Sequence, residues 1–173
     1  MSNLKAGDLE QIETPHKLTD YLINNFIKDK ENITEILEPT AGSGLMLDRI
    51  KHHFPNIPTI AFEIDSGQIN GREDIWIENF LDKKLFKKHN LEYKKGRVAI
   101  MNPPFSRAIK MMYKCLEICD VVYCIAGQGM FLNIDYEKYI VDDIHYIKKA
   151  TFADNKEYTI NMISLRKKSD DEI

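Results

Sequence analysis

Three segments of the chain offer side chains that together suit an adenosine-bearing ligand. The segment EPTAGSG, residues 38–44, has two glycines, which permit positive φ and let a ligand approach the backbone closely. Glu63 lies nineteen positions after Gly44, about the distance at which an acidic residue holds the hydroxyls of a ribose. Asn79 and Phe80 add an amide for the edge of an adenine and a flat ring for its face.

A fourth segment, NPPF at residues 102–105, ends an apolar run with two prolines and an aromatic ring. Proline donates no backbone hydrogen bond and forces the preceding residue into an extended conformation, so the pair stops a strand and stiffens the loop. We therefore expect Asn102 and Phe105 to be held rigidly at a strand end. A structural turn with a packed phenylalanine is the alternative interpretation.

The glycine segment lacks two common nucleotide-binding motifs. A dinucleotide-binding loop would have G-x-G-x-x-G, but the last position is Leu47, which is too large for close contact with a pyrophosphate. The chain also has no G-x-x-x-x-G-K run followed by Ser or Thr. S-adenosylmethionine, which has an adenosine and a zwitterionic methionine end but no phosphate, fits what remains. Taken alone, the G-x-G turn would equally suit an ordinary strand-to-helix connection.

The hydrophobic pattern predicts strands separated by helices, followed by a β-hairpin. The candidate strands are 33–38, 58–64, 74–79, 97–101 and 120–126, and the candidate helices are 15–30, 43–54 and 105–119. Thr14 is the predicted N-cap of the first helix, with Pro15 in its first turn. Two β-rich runs, 144–152 and 157–166, are joined by ADNKE and predict an antiparallel hairpin.

This order of elements indicates a doubly wound α/β fold, with a mostly parallel, seven-stranded, Rossmann-like sheet that ends in an antiparallel β-hairpin. Ligands of such sheets bind at the carboxyl ends of the strands, where all four segments fall. Length and composition predict one domain over residues 1–166, a disordered tail over 167–173 and no separate target-recognition domain. The chain lacks the pattern of a secretion signal or a membrane span, so we expect a cytoplasmic location.

The net charge and the cysteines limit which ligands we expect the chain to bind. The formal net charge is −3, which argues against nucleic-acid binding by bulk electrostatics. Basic clusters such as Lys148–Lys149 are interpreted as solvated surface in preference to phosphate-binding patches. Cys115, Cys119 and Cys124 have no histidine at metal-binding spacing, so we expect buried reduced thiols and no metal.

The ordered segments ETPHKLTDYLI, EPTAGSG, AFEID, ENFL and NPPF resemble the amino-methyltransferases of the NPPF/NPPY type. The resemblance is greatest to DNA adenine-N6 methyltransferases whose cofactor motifs precede the catalytic motif, and it covers nearly the whole chain. It implies a methyltransferase that uses S-adenosylmethionine and acts on the exocyclic amine of adenine in DNA. In this family the Asn side-chain oxygen and the carbonyl of the first proline accept hydrogen bonds from that amine, and transfer needs no metal.

The resemblance also assigns residues. The implied catalytic residues are Asn102, Pro103, Pro104 and Phe105, of which Phe105 would stack on the flipped base. The implied cofactor-binding residues are Thr14, Pro15, Glu38, Thr40, Gly42, Gly44, Glu63, Asn79 and Phe80. Phe152 lies where related enzymes have a second base-stacking aromatic residue, and a core residue at a strand end is the alternative.

Two departures from the family pattern leave alternatives open. Asn79 stands where an Asp is usual, and Asn has a donor as well as an acceptor for the adenine edge. The sequence also ends after the hairpin, where related DNA enzymes continue into a target-recognition domain, so a partner subunit could supply recognition. The alternatives are methylation of adenine in RNA, methylation of a protein glutamine, and a cofactor-binding subunit without catalytic activity.

Overall fold

The computed structural model describes residues 12–152 and 154–173, which form a seven-stranded sheet flanked by helices. The strands are β1 (Glu35–Glu38), β2 (Thr59–Glu63), β3 (Trp76–Ile77), β4 (Arg97–Met101), β5 (Val121–Gly127), β6 (Tyr139–Thr151) and β7 (Glu157–Lys167). Their order in the sheet is β3-β2-β1-β4-β5-β7-β6. The first five strands are parallel, and β7 runs antiparallel to both β5 and β6. The predicted doubly wound sheet with a terminal hairpin is confirmed.

Helices cover both faces of the sheet. They are α1 (His16–Tyr21), which continues as a π-helical turn over Leu22–Phe26, α2 (Leu45–His53), α3 (Leu85–Lys88) and α4 (Ala108–Cys115). The first two helices pack with one core cluster, around Ile36 and Ile100. The last two pack with a second cluster, around Leu37 and Met101, on the opposite face. Alternating side chains of the same strands thus feed two separate cores.

Several elements differ from the predicted bounds for identifiable reasons. The residue that caps α1 is Pro15 and not Thr14, so the predicted N-cap is wrong; the Thr14 hydroxyl bonds to Asn102 instead. Helix α2 starts only at Leu45 because Gly44 has a φ of +94°. Strand β6 begins at Tyr139, five residues before the predicted start. A bulge between Val141 and Asp143 breaks its alternation of apolar and polar residues.

The C-terminal residues form a short turn that contacts the end of β7. Asp170–Glu172 make a 3₁₀ turn with a capping box between Ser169 and Glu172. The Glu172 carboxylate also accepts two hydrogen bonds of 2.7 Å from Arg166, at the end of β7. No helix among the described residues combines the length and the apolar character that a membrane crossing requires.

Candidate functional site

The sheet changes its direction of winding between β1 and β4, and the candidate site lies at the carboxyl ends of these strands. β1 ends at Glu38, and Asn102 directly follows β4. The neighbouring β2 ends at Glu63. Crossovers leave this point toward opposite edges of the sheet, so the loops diverge and open a crevice. Three cavities occupy it, lined by residues that the sequence singled out.

The glycine-loop cavity lies beside Glu38, Gly42 and Asn102. The side chain of Glu38 is almost completely buried, with 1% exposed. Its Oε1 accepts hydrogen bonds from the Thr40 backbone N–H at 2.9 Å and the Thr40 hydroxyl at 3.2 Å. Its Oε2 is buried without a hydrogen-bond partner among the described residues, and burial raises the pKa of Glu38 to about 8. The wall of the cavity therefore includes a carboxyl group that is neutral near pH 7, with its proton on Oε2 because Oε1 accepts both Thr40 hydrogen bonds.

The glycine loop itself is held by carboxylates from other segments. Gly42, with a φ of +56°, donates its N–H to Glu63 Oε2 at 2.7 Å, and Glu63 Oε1 accepts the Asp65 N–H at 2.9 Å. The Ser43 N–H donates to Glu13 Oε1 at 3.2 Å. Glu63 therefore links the loop after β1 to the end of β2.

Gly44 has a positive φ, which favours glycine, and it also has a close neighbour. The Arg72 guanidinium packs so closely on Gly44 that an added Cβ would lie 2.1 Å from Nη1. The same guanidinium donates to the carboxylates of Asp48 and Asp74 and to the Ser43 carbonyl oxygen. Arg72, which the sequence did not single out, fixes the start of α2.

The Asn79 cavity is lined by Glu63, Phe80 and Pro104, and it shares Thr40 with the glycine-loop cavity. Asn79 Oδ1 accepts the Leu81 N–H at 3.0 Å, so the side chain presents its Nδ2 donor to the surroundings. Phe80 is buried, with its ring 5.8 Å from that of Phe62. Phe80 is thus both a core residue and part of the cavity wall.

The Asn102 amide has a defined orientation. Its Nδ2 donates to the Ile12 carbonyl at 3.0 Å and to Thr14 Oγ1 at 2.8 Å. Because the Ile12 carbonyl can only accept, the nitrogen of the amide must face it, and the oxygen faces the other way. Asn102 Oδ1 has no hydrogen bond to a described residue. The segment before α1 thereby sets the direction of the one free acceptor on this side chain.

The aromatic cavity adjoins Asn102 on the side away from the glycine loop, and it is lined by Ile12, Asn102, Pro103, Phe105, Phe152 and Tyr158. Phe105 lies against the end of β5, where a Cβ added to Gly127 would be 3.1 Å from its Cδ2. Phe152 and Tyr158 meet edge to face, with ring centroids 5.4 Å apart. Asn102 and Ile12 line both this cavity and the glycine-loop cavity, so the two share a thin wall.

The structure brings most of the predicted site residues together, with two exceptions. Pro15 lines a separate surface groove, and Gly44 lies beneath Arg72 and lines none of the three cavities. Tyr158, Gly127 and Glu13 also line or contact the site, and the sequence did not single them out. Tyr158 carried a weak signal as an aromatic residue at the start of a strand. Among the described residues, no group of three His, Cys, Asp or Glu side chains could hold a metal ion.

Comparison with known proteins identifies the fold. No protein-family model matches the chain, and no curated protein sequence matches it. Among solved structures, a candidate RNA methyltransferase from Pyrococcus horikoshii has a TM-score of 0.66 and 19% identity, covering 92% of this chain and 87% of that one. A type I restriction-modification methyltransferase subunit from Streptococcus thermophilus has a TM-score of 0.70 and 12% identity, covering 92% of this chain and 46% of that one.

A third similar structure is the modification subunit of a candidate type I restriction enzyme from Vibrio vulnificus, with a TM-score of 0.64 and 15% identity. The match covers 93% of this chain and 45% of that one. The chain thus spans less than half the length of both restriction subunits. At these identities the likeness is one of fold, and the chain has the α/β fold of these methyltransferases.

Proposed function

We propose that this protein transfers a methyl group from S-adenosylmethionine to the exocyclic amine of adenine in DNA. The observation that carries the proposal is the position of Asn102 between two cavities. One cavity has the glycine loop and the orphaned Glu38 oxygen, and the other has three aromatic rings. A donor bound in the first and a planar base bound in the second would meet at Asn102.

The residues of the glycine-loop cavity fit the methionine end of this cofactor. Glu38 Oε2 is buried without a partner, and the α-ammonium group of the cofactor would favour the ionised carboxylate, whose Oε2 then accepts a hydrogen bond from it. We assign the ribose hydroxyls to Glu63, which lines the same cavity as Asn79 and Phe80, and the adenine to that cavity. When bound, S-adenosylmethionine supplies an electrophilic methyl group on a positively charged sulfur.

In the aromatic cavity, the protein must activate a poor nucleophile. The lone pair of an adenine amine is delocalised into the ring. Asn102 Oδ1, turned away from Ile12 and Thr14, and the Pro103 carbonyl accept the two N–H groups and favour a pyramidal nitrogen whose lone pair can attack. Phe105 and Phe152 stack on the base, and the rigid proline pair keeps both acceptors in place. Positioning of the two reactants supplies the main part of the rate enhancement.

RNA is the second candidate substrate because one structure with this fold is described as a candidate RNA methyltransferase. The aromatic cavity does not discriminate between the two, since a base from either nucleic acid has the same π-face. Methylation of glutamine in a protein and a non-catalytic role remain as outcomes of the test.

The test follows radiolabelled methyl transfer from S-adenosylmethionine into unmethylated DNA, RNA and protein in parallel. We expect label in DNA, recovered as N6-methyladenine, with wild-type protein. Asn102→Ala should abolish it, and Asn24→Ala, which truncates an exposed asparagine in the π-helical turn after α1, should not. Binding of the cofactor by Asn102→Ala, measured by calorimetry, shows that the variant is folded.

Label confined to RNA or protein would overturn the DNA assignment and leave the methyltransferase. Cofactor binding with no label in any substrate would overturn the catalytic proposal for the isolated chain. Equal label from the wild type and Asn102→Ala would refute the role given to Asn102.

A further inference from the structure

A surface groove lies between α1 and β6, and two of its residues are chain neighbours of residues that line the candidate site. Its wall includes Pro15 and Thr151. Pro15 follows Thr14, which binds the Asn102 amide, and Thr151 precedes Phe152. We name it the Tyr-Lys groove, after the side chains that line it: Lys17, Tyr21, Tyr146 and Lys148. A strand that runs from the aromatic cavity toward α1 and β6 would meet these residues.

The Tyr-Lys groove combines exposed aromatic rings with cations. Tyr21 is 40% exposed and Tyr146 is 52% exposed, and both line the groove without being part of either core cluster. Lys17 and Lys148 have no ion pair with any described residue. No Asp or Glu is among the residues that line the groove.

Two lysines near the groove form ion pairs, unlike Lys17 and Lys148. Lys28 forms an ion pair of 2.8 Å with Asp143, and Lys149 lies 4.0 Å from Glu157. Carboxylates of the hairpin thus pair with Lys28 and Lys149, whereas Lys17 and Lys148 have no ion pair with a described residue. The net charge of the chain is −3, so the protein as a whole does not attract nucleic acid electrostatically. The two groove lysines provide positive charge locally.

We propose that the Tyr-Lys groove binds the single-stranded nucleic acid that flanks the base held in the aromatic cavity. This inference rests on the proposed function and names the path of its substrate. Single strands are bound by cations that contact the phosphates and by aromatic rings on which bases stack. Lys17 and Lys148 provide the first, and Tyr21 and Tyr146 provide the second.

The experiment measures anisotropy of a fluorescein-labelled 12-nucleotide single strand, as DNA and as RNA, between 50 and 200 mM salt. Each phosphate contact to a single strand contributes about 0.7 to the slope of log K against log salt. The double variant Lys17→Gln/Lys148→Gln should therefore lower the magnitude of the slope by about 1.4. Tyr146→Ala should weaken binding about 10-fold, as expected for one lost stacking platform.

The matched control is Lys83→Gln/Lys87→Gln, which removes the same charge from two exposed lysines at or near α3. This helix lies near β3, at the opposite edge of the sheet from β6. We expect its salt slope to equal that of the wild type. Thermal melting of every variant checks that it is folded.

A groove variant that binds like the control, or a wild type that binds no strand, would overturn the groove proposal. Because strand binding is measured without methyl transfer, the two proposals can fail separately. Methyl transfer that survives the loss of Lys17 and Lys148 with unchanged KM for the strand would leave the catalytic proposal standing and refute the groove. Strand binding that depends on both lysines, in a protein that methylates nothing, would support the groove proposal and refute the catalytic proposal.

Discussion

The buried carboxyl group of Glu38 makes a prediction about stability that needs no knowledge of function. Its pKa rises from an ordinary 4.5 to about 8 because burial disfavours the charged form. Between these values the unfolded chain releases the proton and the folded protein retains it. Each pH unit in this window therefore favours the unfolded state by about 1.4 kcal/mol. The contribution of Glu38 to stability is greatest below pH 4.5 and is lost as the pH rises to 8.

The variant Glu38→Gln isolates this effect. Glutamine keeps the oxygen that accepts the Thr40 N–H and hydroxyl, but it cannot titrate. The free energy of unfolding of the variant minus that of the wild type should therefore rise by about 3.5 kcal/mol between pH 5 and pH 8. Titration of all other groups cancels in this difference, as does any constant cost of placing an amide nitrogen at the Oε2 position.

The assay is urea denaturation followed by circular dichroism at pH 5, 6, 7 and 8. Glu73→Gln, which removes a carboxyl group from an exposed residue, is the control for a changed net charge. A difference between Glu38→Gln and the wild type that stays constant within 1 kcal/mol, an error on the scale of such extrapolations, would refute the reasoning. It would mean that Glu38 is ionised in the folded protein.

Two further variants probe the site through its supports. Thr14→Val removes one of the two acceptors of the Asn102 amide and should slow methyl transfer about 10-fold, the value of one hydrogen bond. Thr14→Ser keeps the hydroxyl, and its rate should stay within about 2-fold of the wild type. Equal rates for the Val and Ser variants would contradict the positioning role. Gly127→Ala adds a Cβ 3.1 Å from the Phe105 ring and should raise the KM for nucleic acid about 3- to 10-fold at an unchanged melting temperature, and an unchanged KM would show that the ring position is immaterial.

The sequence predicts those parts of the fold that depend on local patterns. Apolar runs located the parallel strands to within a few residues, except β3, which spans only Trp76–Ile77 of a predicted six. The predicted length was wrong because pairing with β2 at the sheet edge decides the length of β3. The hydrophobic periodicity of a sequence does not show how many residues pair. The early start of β6 was hidden by polar residues that a bulge places outside the alternation.

The candidate site could be predicted where one residue type is chemically required, and not where distant segments meet. Glu38, Glu63 and Asn102 stand at strand ends and follow from the topology alone. That Asn102 is oriented by Ile12 and Thr14, some ninety residues earlier, depends on how the first helix docks on the sheet. Tyr158 likewise enters the aromatic cavity only because the hairpin folds back beside Phe152.

The two edge strands of the sheet differ in how well they could pair with a second copy of the chain. An edge strand exposes unpaired backbone groups that a second copy could extend into a shared sheet. At one edge, β3 offers only two residues for such pairing. At the other, β6 is thirteen residues long, but bulges between Val141 and Asp143 and between Ile147 and Ala150 interrupt it, and lysines occupy the second bulge. Between the two bulges only residues 143–147 continue in regular register. The longest described strand is therefore a poor template for aggregation.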